Sequence, residues 1–455
     1  MNVTVIGTGY VGLTTGVTLA FLGHQVVCLD IDAAKVARLN RGELPIYEPG
    51  LPDLLGEAKE HVRFTSEYGC AGLDQADVVF ITVGTPSNPD GSPDLTFVRS
   101  VAQSVGERLG GRFTVIVNKS TVPIGSGNWV GSLIADAYET ANGQKPNGNF
   151  AVASNPEFLR EGVAVHDSLY PDRIVVGATH AQAIDVLTHL YRPILNQDFR
   201  APKYAPRPEG LSAVPLVTTD LASAELIKYA ANAFLALKIS YINEVAQLAG
   251  RVGADVTQIA RGIGLDDRIG PRFLQAGIGW GGSCFGKDTA GLVATAREYG
   301  LRMPIVEAAR QVNYRQREWV VERLQDELKI LKGRTIALLG LAFKPDTDDL
   351  RDAPALDIAR LLIQRKAKVQ AHDPVALGRA RAEYGDLGIC YCESALDTVT
   401  DADAIVLVTE WPQYRDLAWA EIKGRVRQPL VLDGRNFLSR TKLAALGFKY
   451  LGVGC

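Results

Sequence analysis

The sequence predicts an α/β protein: two doubly wound parallel-sheet domains joined by a central helical domain with a long helix. Three observations carry this prediction. Short apolar runs alternate with helically spaced segments near the N-terminus. A stretch from about Asp220 to Leu248 has helical spacing with no glycine or proline. The strand–helix alternation then returns in the last third of the chain. The expected domains are residues 1–205, 206–328 and 329–455.

The first strand is read from NVTVIG. GTGYVG breaks it, LTTGVTLAFLG has helical spacing, and HQVVCLDID is a second strand ending in acid. ADVVFITVGTP and FTVIVNKSTVP are two more buried strands running into loops. FRAPKYAPRPEGLSAVPLVTTD carries four prolines and reads as a linker or exposed loop. Asp220 is the expected N-cap of the long helix, and more helix follows to about Leu328. KGRTIALLGLAF, KVQAHDP, ADAIVLVTEW and PLVLDGRN then supply the strands of the second sheet. Ligands of open parallel sheets bind past the carboxyl ends of strands, so two nucleotide-like ligands are expected.

Composition narrows the function. With 47% hydrophobic and 22% charged residues the chain is an ordinary globular protein, large enough for two or three domains. A net charge of -3 argues against a nucleic-acid partner. The six cysteines make no metal-site spacing, so no metal is expected, and a reducing, cytoplasmic setting is the simplest reading. Residues 3 to 23 are uncharged, but glycines at 7, 9, 12 and 16 and the lack of a basic leader argue against a membrane span or signal peptide.

Two motifs carry chemistry. Gly7-Thr8-Gly9-Tyr10-Val11-Gly12 is G-x-G-x-x-G between a strand and a helix, either a purely structural turn or, as the acid that follows favours, a Rossmann-like dinucleotide-binding turn. Asp30 ends the next strand, 18 residues after Gly12, where an acid meets the ribose hydroxyls and disfavours a 2′-phosphate; NAD is the expected cofactor. Lys35 is either a phosphate contact or a solvated helix lysine. The second motif is GIGWGGSCFGKDT (277–289), which sets Cys284 among glycines with Lys287 and Asp288 close behind. A buried cysteine is commonly just a small hydrophobe, whereas a cation beside a thiol favours thiolate and nucleophilic chemistry. Lys228 and Asn232 share one face of the long helix, as an oxyanion-stabilising pair would. Glu157 and Glu161 in NPEFLREG have the same spacing if that segment is helical; after an Asn-Pro turn at a strand end they line a site, and otherwise they are solvated.

Taken together these motifs resemble the UDP-glucose 6-dehydrogenase family of nucleotide-sugar dehydrogenases. The likeness runs through GTGYVGL (7–13), TPSNPDGSPDL (85–95), KSTVP (119–123), NPEFLREG (155–162), AELIKYAANAFLALKIS (224–240), DDRIGPRFL (266–274), GGSCFGKD (281–288), LAFKPDTDDLRD (341–352) and DGRNF (433–437). It implies NAD binding in the first domain, the catalytic cysteine loop in the second and UDP-sugar binding in the third. It implies a four-electron oxidation of a sugar C6 alcohol to carboxylate with two NAD and one water, Cys284 passing through a thiohemiacetal and a thioester. Lys228 and Asn232 would hold the C6 oxygen, Asp288 a catalytic water, Glu157 would act as base, and Thr121 would position water. Gly7, Gly9, Tyr10, Val11, Gly12, Asp30, Lys35, Thr85, Thr121, Glu161 and Lys287 match cofactor positions. Glu157, Phe158, Leu159, Glu161, Lys228, Asn232, Arg268, Phe273, Gly281, Cys284, Phe285, Lys344 and Arg435 match sugar-nucleotide positions, with Arg268 reaching a neighbouring subunit's substrate in a homodimer or an assembly of dimers. UDP-glucose is the expected substrate, since Ser283 stands where UDP-N-acetylmannosamine relatives have histidine. GDP-mannose, UDP-N-acetylmannosamine and a catalytically silent sensor are the alternatives. Gly286 replaces a frequent proline and implies a looser cysteine loop.

Overall fold

The apolar runs fold as strands because continuous Val, Ile and Phe can be buried on both faces of a parallel sheet. The computed structural model describes residues 1–455. It divides into two compact units: Met1–Ala230 with Arg297–Tyr299, and Ala231–Ala296 with Gly300–Cys455.

The first unit is built on eight strands: β1 Asn2–Ile6, β2 Gln25–Leu29, β3 Val62–Thr65, β4 Val78–Ile81, β5 Thr114–Asn118, β6 Phe150–Ser154, β7 Ile174–Ala178 and β8 Leu216–Thr219. Their order is β3-β2-β1-β4-β5-β6-β7-β8. Every neighbouring pair is parallel except β6 with β7. The chain leaves β1 toward β2 and β3, then returns to β4 on the other side. Crevices for ligands form at such a reversal, beyond the carboxyl ends of β1 and β4. Side chains alternate along each strand: Val78 and Phe80 enter one core, Val79 and Ile81 the other.

The proline-rich stretch is an irregular loop, exposed over most of 206–213 as one of its two readings expected. It is not a linker. Tyr170 donates its hydroxyl to the Ala205 carbonyl at 2.9 Å, and one Arg207 nitrogen donates to the carbonyls of Gln197 and Phe199, each at 2.7 Å. Ala205 and Val214 are buried, and the stretch ends as β8, paired to β7. Prolines cannot donate to a ladder, but their neighbours pack against the sheet's core.

The second unit holds β9 Thr335–Leu339, β10 Lys368–His372, β11 Ile389–Tyr391, β12 Ala404–Leu407, β13 Leu430–Asp433 and β14 Lys449–Gly452. The order is β11-β10-β9-β12-β13-β14, parallel throughout, with its reversal between β9 and β12. Its helices Val256–Gly264, Phe285–Glu298 and Pro304–Leu328 precede the sheet.

The long helix, Leu221–Val252, runs 32 residues and belongs to the first unit up to Ala230 and to the second beyond it. Asp220 caps it as expected, accepting from Ser223 N at 2.8 Å. No helix is long and apolar enough to cross a membrane.

Candidate active site

In the first unit the glycine turn follows β1 directly. Gly7 sits at φ +99°, which only glycine adopts without strain. A Cβ on Gly12 would lie 1.9 Å from the Gly7 carbonyl, so the helix Tyr10–Phe21 can pack this closely only with glycine there. A Cβ on Gly9 would meet nothing within 4 Å, and the helix N-terminus it caps, at Tyr10 and Val11, has no side-chain cap. That open space in front of free N–H groups fits a dinucleotide pyrophosphate. Tyr10 supports the turn from behind, its hydroxyl accepting from Gly162 N at 2.8 Å.

Asp30, at the end of β2, is buried. One carboxylate oxygen accepts from Thr8 N at 2.8 Å, Thr8 Oγ1 at 2.7 Å and Lys35 Nζ at 2.8 Å. Burial opposes its charge, but the bonds from Lys35 and Thr8 outweigh it and hold the carboxyl below its ordinary value. Lys35 therefore makes an ion pair with Asp30, neither reading offered by its sequence. Thr85 donates to the Thr121 carbonyl at 2.8 Å, joining two loops that leave β4 and β5.

NPEFLREG is not helical: residues 155–160 form a loop after β6, because Pro156 cannot extend a helix from a strand end. The loop buries Glu157 all the same. Its Oε1 accepts from Lys228 Nζ at 2.8 Å and its Oε2 from Leu159 N at 2.7 Å. Burial would raise this carboxyl; the charge and hydrogen bond of Lys228, then Leu159 N and Lys119, reverse the effect and leave it below the ordinary value. Phe158 stacks under Arg173 at 3.6 Å and lies 5.5 Å from the Lys228 ammonium. Glu161 is half-buried in the turn that follows.

Sequence reasoning passed over three groups here. Lys119, just past β5, is buried and donates to Asn155 Oδ1 at 2.9 Å. Burial pushes its ammonium down to about 8, with Glu157 opposing and Lys228 adding to the fall. Glu225, one turn before Lys228, accepts from Gly125 N at 2.6 Å and Gly127 N at 2.9 Å; burial pushes it up to about 7. Glu48 accepts from Gly162 N at 2.6 Å and Ala164 N at 2.7 Å, fixing the end of the Glu157 loop. The available signal was position: Lys119 directly follows an apolar strand, and Glu225 lies in a mostly apolar helix.

In the second unit the glycine-rich loop is held rigid. Asn243 accepts from Gly277 N at 2.8 Å, Asn313 from Trp280 N at 2.7 Å, and Gln316 donates to the Gly277 carbonyl at 2.8 Å. A Cβ on Gly281 would fall 2.4 Å from the Asp352 carbonyl. Cys284 is the N-cap of helix Phe285–Glu298: its carbonyl accepts from Asp288 N at 2.8 Å, and its half-buried sulfur lies 3.6 Å from Ser283 Oγ. A thiol at a helix N-terminus is in the setting that favours thiolate. Asp288 is buried, accepts from Asn232 Nδ2 at 2.6 Å and stands 3.5 Å from Lys287. At Gly286, Arg310 donates to the backbone carbonyl at 2.6 Å and to Thr289 Oγ1 at 2.7 Å, so the loop has a tie there that does not depend on proline. Arg317, fully buried, ties the Trp280 carbonyl at 3.0 Å to the carboxylates of Asp352 and Asp357. Both arginines were missed from sequence.

Phe273, at the strained φ of 64°, meets Phe285 edge-on at 6.4 Å. Arg435, past β13, donates to the carbonyls of Val408 at 2.8 Å and Gly279 at 3.0 Å, so it is held in place beside the glycine loop. Lys344 lies over the Phe343 ring at 5.6 Å. Arg268 is exposed and forks onto Asp266 at 2.6 Å.

Residues 1–195, 222–315 and 337–440 match, in turn, the NAD binding, central and UDP binding domains of one family. The chain belongs to the UDP-glucose/GDP-mannose dehydrogenase family. It is 44% identical to the UDP-glucose 6-dehydrogenase TuaD of Bacillus subtilis, covering all of this chain and 93% of that one. It is also 44% identical to a UDP-glucose 6-dehydrogenase of Pseudomonas aeruginosa, covering 97% of that protein. Among solved structures, a UDP-glucose dehydrogenase from Pyrobaculum islandicum aligns over all of this chain and 97% of its own with TM-score 0.88 and 40% identity. As a member of the UDP-glucose/GDP-mannose dehydrogenase family, the chain is an NAD-dependent oxidoreductase, and the two parallel sheets and the long helix are the architecture read from its sequence.

Proposed function

We propose that the protein oxidises UDP-glucose to UDP-glucuronate, a four-electron reaction that consumes two NAD and one water. The observation that carries this is the pairing of full-length identity to UDP-glucose 6-dehydrogenases with a cysteine seated at a helix N-terminus. Residues 1–205 are assigned to NAD, 206–328 to the cysteine loop and 329–455 to the UDP-sugar. The Gly7–Gly12 turn and Asp30 would hold NAD, which when bound would supply the hydride acceptor for both oxidations.

The chain's own residues do the rest. Lys228, charged against Glu157, stabilises negative charge on the C6 oxygen, and Asn232 supplies an amide donor. Glu157 is ionised and so can take a proton. The Cys284 thiolate adds to the aldehyde carbon as a thiohemiacetal, and its oxidised form is a thioester. Water, positioned by Thr121 and Asp288, cleaves that ester to carboxylate and returns the thiol. Covalent capture keeps the aldehyde from escaping between oxidations. Lys344 and Arg435 supply cations for the UDP moiety, with Phe273 and Phe285 packing beside it.

The protein is assigned to the cytoplasm as a homodimer or an assembly of dimers. Phe234, Tyr241 and Leu248 are 61%, 53% and 64% exposed at seven-residue spacing on the long helix, an apolar stripe suited to a second copy. In that assembly Arg268 reaches the partner's substrate. A UDP-D-ManNAc dehydrogenase from Pyrococcus horikoshii shares the fold at TM-score 0.84 but only 27% identity, so another nucleotide sugar is the competing substrate.

The decisive assay offers purified protein a panel of nucleotide sugars with NAD and counts NADH formed per sugar consumed. Two per UDP-glucose is expected. One would indicate an aldehyde product, none across the panel a sensor, and preference for another sugar would reassign the substrate.

A further inference from the structure

We infer that Lys119 is a positioning residue of the Glu157–Lys228 site, its buried ammonium standing as a third fixed charge that keeps the proton off Glu157. β5 and β6 are neighbours in register, with Asn118 opposite Ser154. Lys119 and Asn155, the next residue on each strand, therefore leave the sheet side by side and bond at 2.9 Å. The same Asn155 Oδ1 also accepts from the Tyr191 hydroxyl at 2.6 Å, and Asn155 Nδ2 donates to the Val175 carbonyl at 2.7 Å. Glu157 is two residues further on, and Thr121 two residues beyond Lys119. One short stretch of backbone thus sets both the lysine and the carboxylate.

A lysine this buried is costly to charge unless it meets an anion. The charged groups that face it are Glu157, which favours its ammonium, and Lys228, which opposes it. Tyr191 is neutral, its phenol raised by burial, and the Phe80 ring lies 5.9 Å away. Two buried cations and one carboxylate, Lys228 bonded to it and Lys119 set by the neighbouring strand end, leave a net positive centre. That centre holds Glu157 ionised through its bond with Lys228 and keeps a positive field on the oxygen that Lys228 addresses. Lys119 touches neither substrate nor cofactor in this scheme; it acts through its neighbours.

The inference rests on Glu157 and Lys228 belonging to the reaction centre, but its test does not require turnover. Lysine-labelled NMR follows the Lys119 ammonium, assigned by loss of its signal in Lys119→Arg. Glu157→Gln should lower its titration midpoint by about one pH unit, and Lys228→Met should raise it by a similar amount. Any other pattern overturns the inference, because a lysine that merely braces Asn155 would respond to neither change in these opposed directions. In turnover assays Lys119→Met should move the acid limb of kcat/KM to higher pH, as Glu157 loses a neighbouring cation, and Lys119→Arg should restore it. A uniform fall in rate with an unmoved limb would reduce Lys119 to a structural role. Absence of turnover in the wild-type protein would instead count against the proposed function, with the NMR shifts still deciding this inference.

Discussion

Cys284 combines two roles that one substitution can separate. It is an N-cap by its backbone and, in the proposed reaction, the nucleophile by its sulfur. Serine is a favoured N-cap, so Cys284→Ser should keep helix Phe285–Glu298 and NAD affinity intact. Turnover should fall by roughly a thousandfold or more, since one member of a catalytic unit has gone. Single-turnover kinetics and NAD titration check this together; full activity in the variant would end the covalent proposal. Lys228→Met removes the direct partner of a buried carboxylate. Urea unfolding near neutral pH should report a loss of about 3 kcal/mol, the scale of an uncompensated buried charge. Because Glu157 has a lowered pKa when folded, its pair stabilises above the carboxyl's unfolded pKa and fades as pH falls through the folded one. The variant's deficit should therefore shrink in acid. Cys284 and Lys228 were readable from sequence because glycine neighbours and helical spacing single them out. Lys119 was not: a lysine beside a strand is by default solvated, and only the register of β5 and β6 buries it.

Elements add a second layer. Gly12→Ala forces a methyl against the Gly7 carbonyl and the Thr82 hydroxyl, which lie 1.9 Å and 2.4 Å from the new atom. The first helix must shift from β1, at a cost of about 1–3 kcal/mol. Thermal unfolding should record that loss, and calorimetric titration a weaker NAD affinity. Helix Ser126–Asn142 is capped from a distance by Glu225, whose carboxyl rises from 4.5 to about 7 on burial. The folded chain keeps a proton that the unfolded chain releases over that window. Stability should thus fall as pH rises from about 4.5 to 7, by on the order of 3 kcal/mol from this group. Glu225→Gln cannot titrate, so its melting temperature should fall less between pH 5 and 8; equal slopes would remove the assignment. The strands and the Asp220 cap were legible, because apolar runs and capping chemistry are local. The burial of Glu157 in the 155–162 loop and the anchoring of the 199–219 stretch were not legible, because glutamate spacing and proline content do not report what a segment packs against.

For the whole molecule, the long helix carries the apolar stripe on which the proposed assembly rests. Phe234→Glu together with Leu248→Glu places charge on its exposed apolar stripe. If the proposed dimer forms, sedimentation should show a dimeric wild type and a monomeric variant, and Arg268→Ala should cost turnover only in the dimer. A wild-type monomer with full activity would defeat both expectations.

The sequence by itself determined the two parallel sheets, the long helix, the glycine turn with its acid, and a cysteine set in a glycine-rich loop. Each follows from periodicity, capping or residue type, and each acts over a few neighbouring positions. Tertiary structure alone decided that Asp30 takes Lys35 as its partner, that Arg310 and Arg317 bond the carbonyls of the cysteine loop, and that Lys119 and Glu225 are buried. Those outcomes depend on which distant segments meet and how much water they exclude. Charge and desolvation energies are set by that meeting and leave no local trace along the chain.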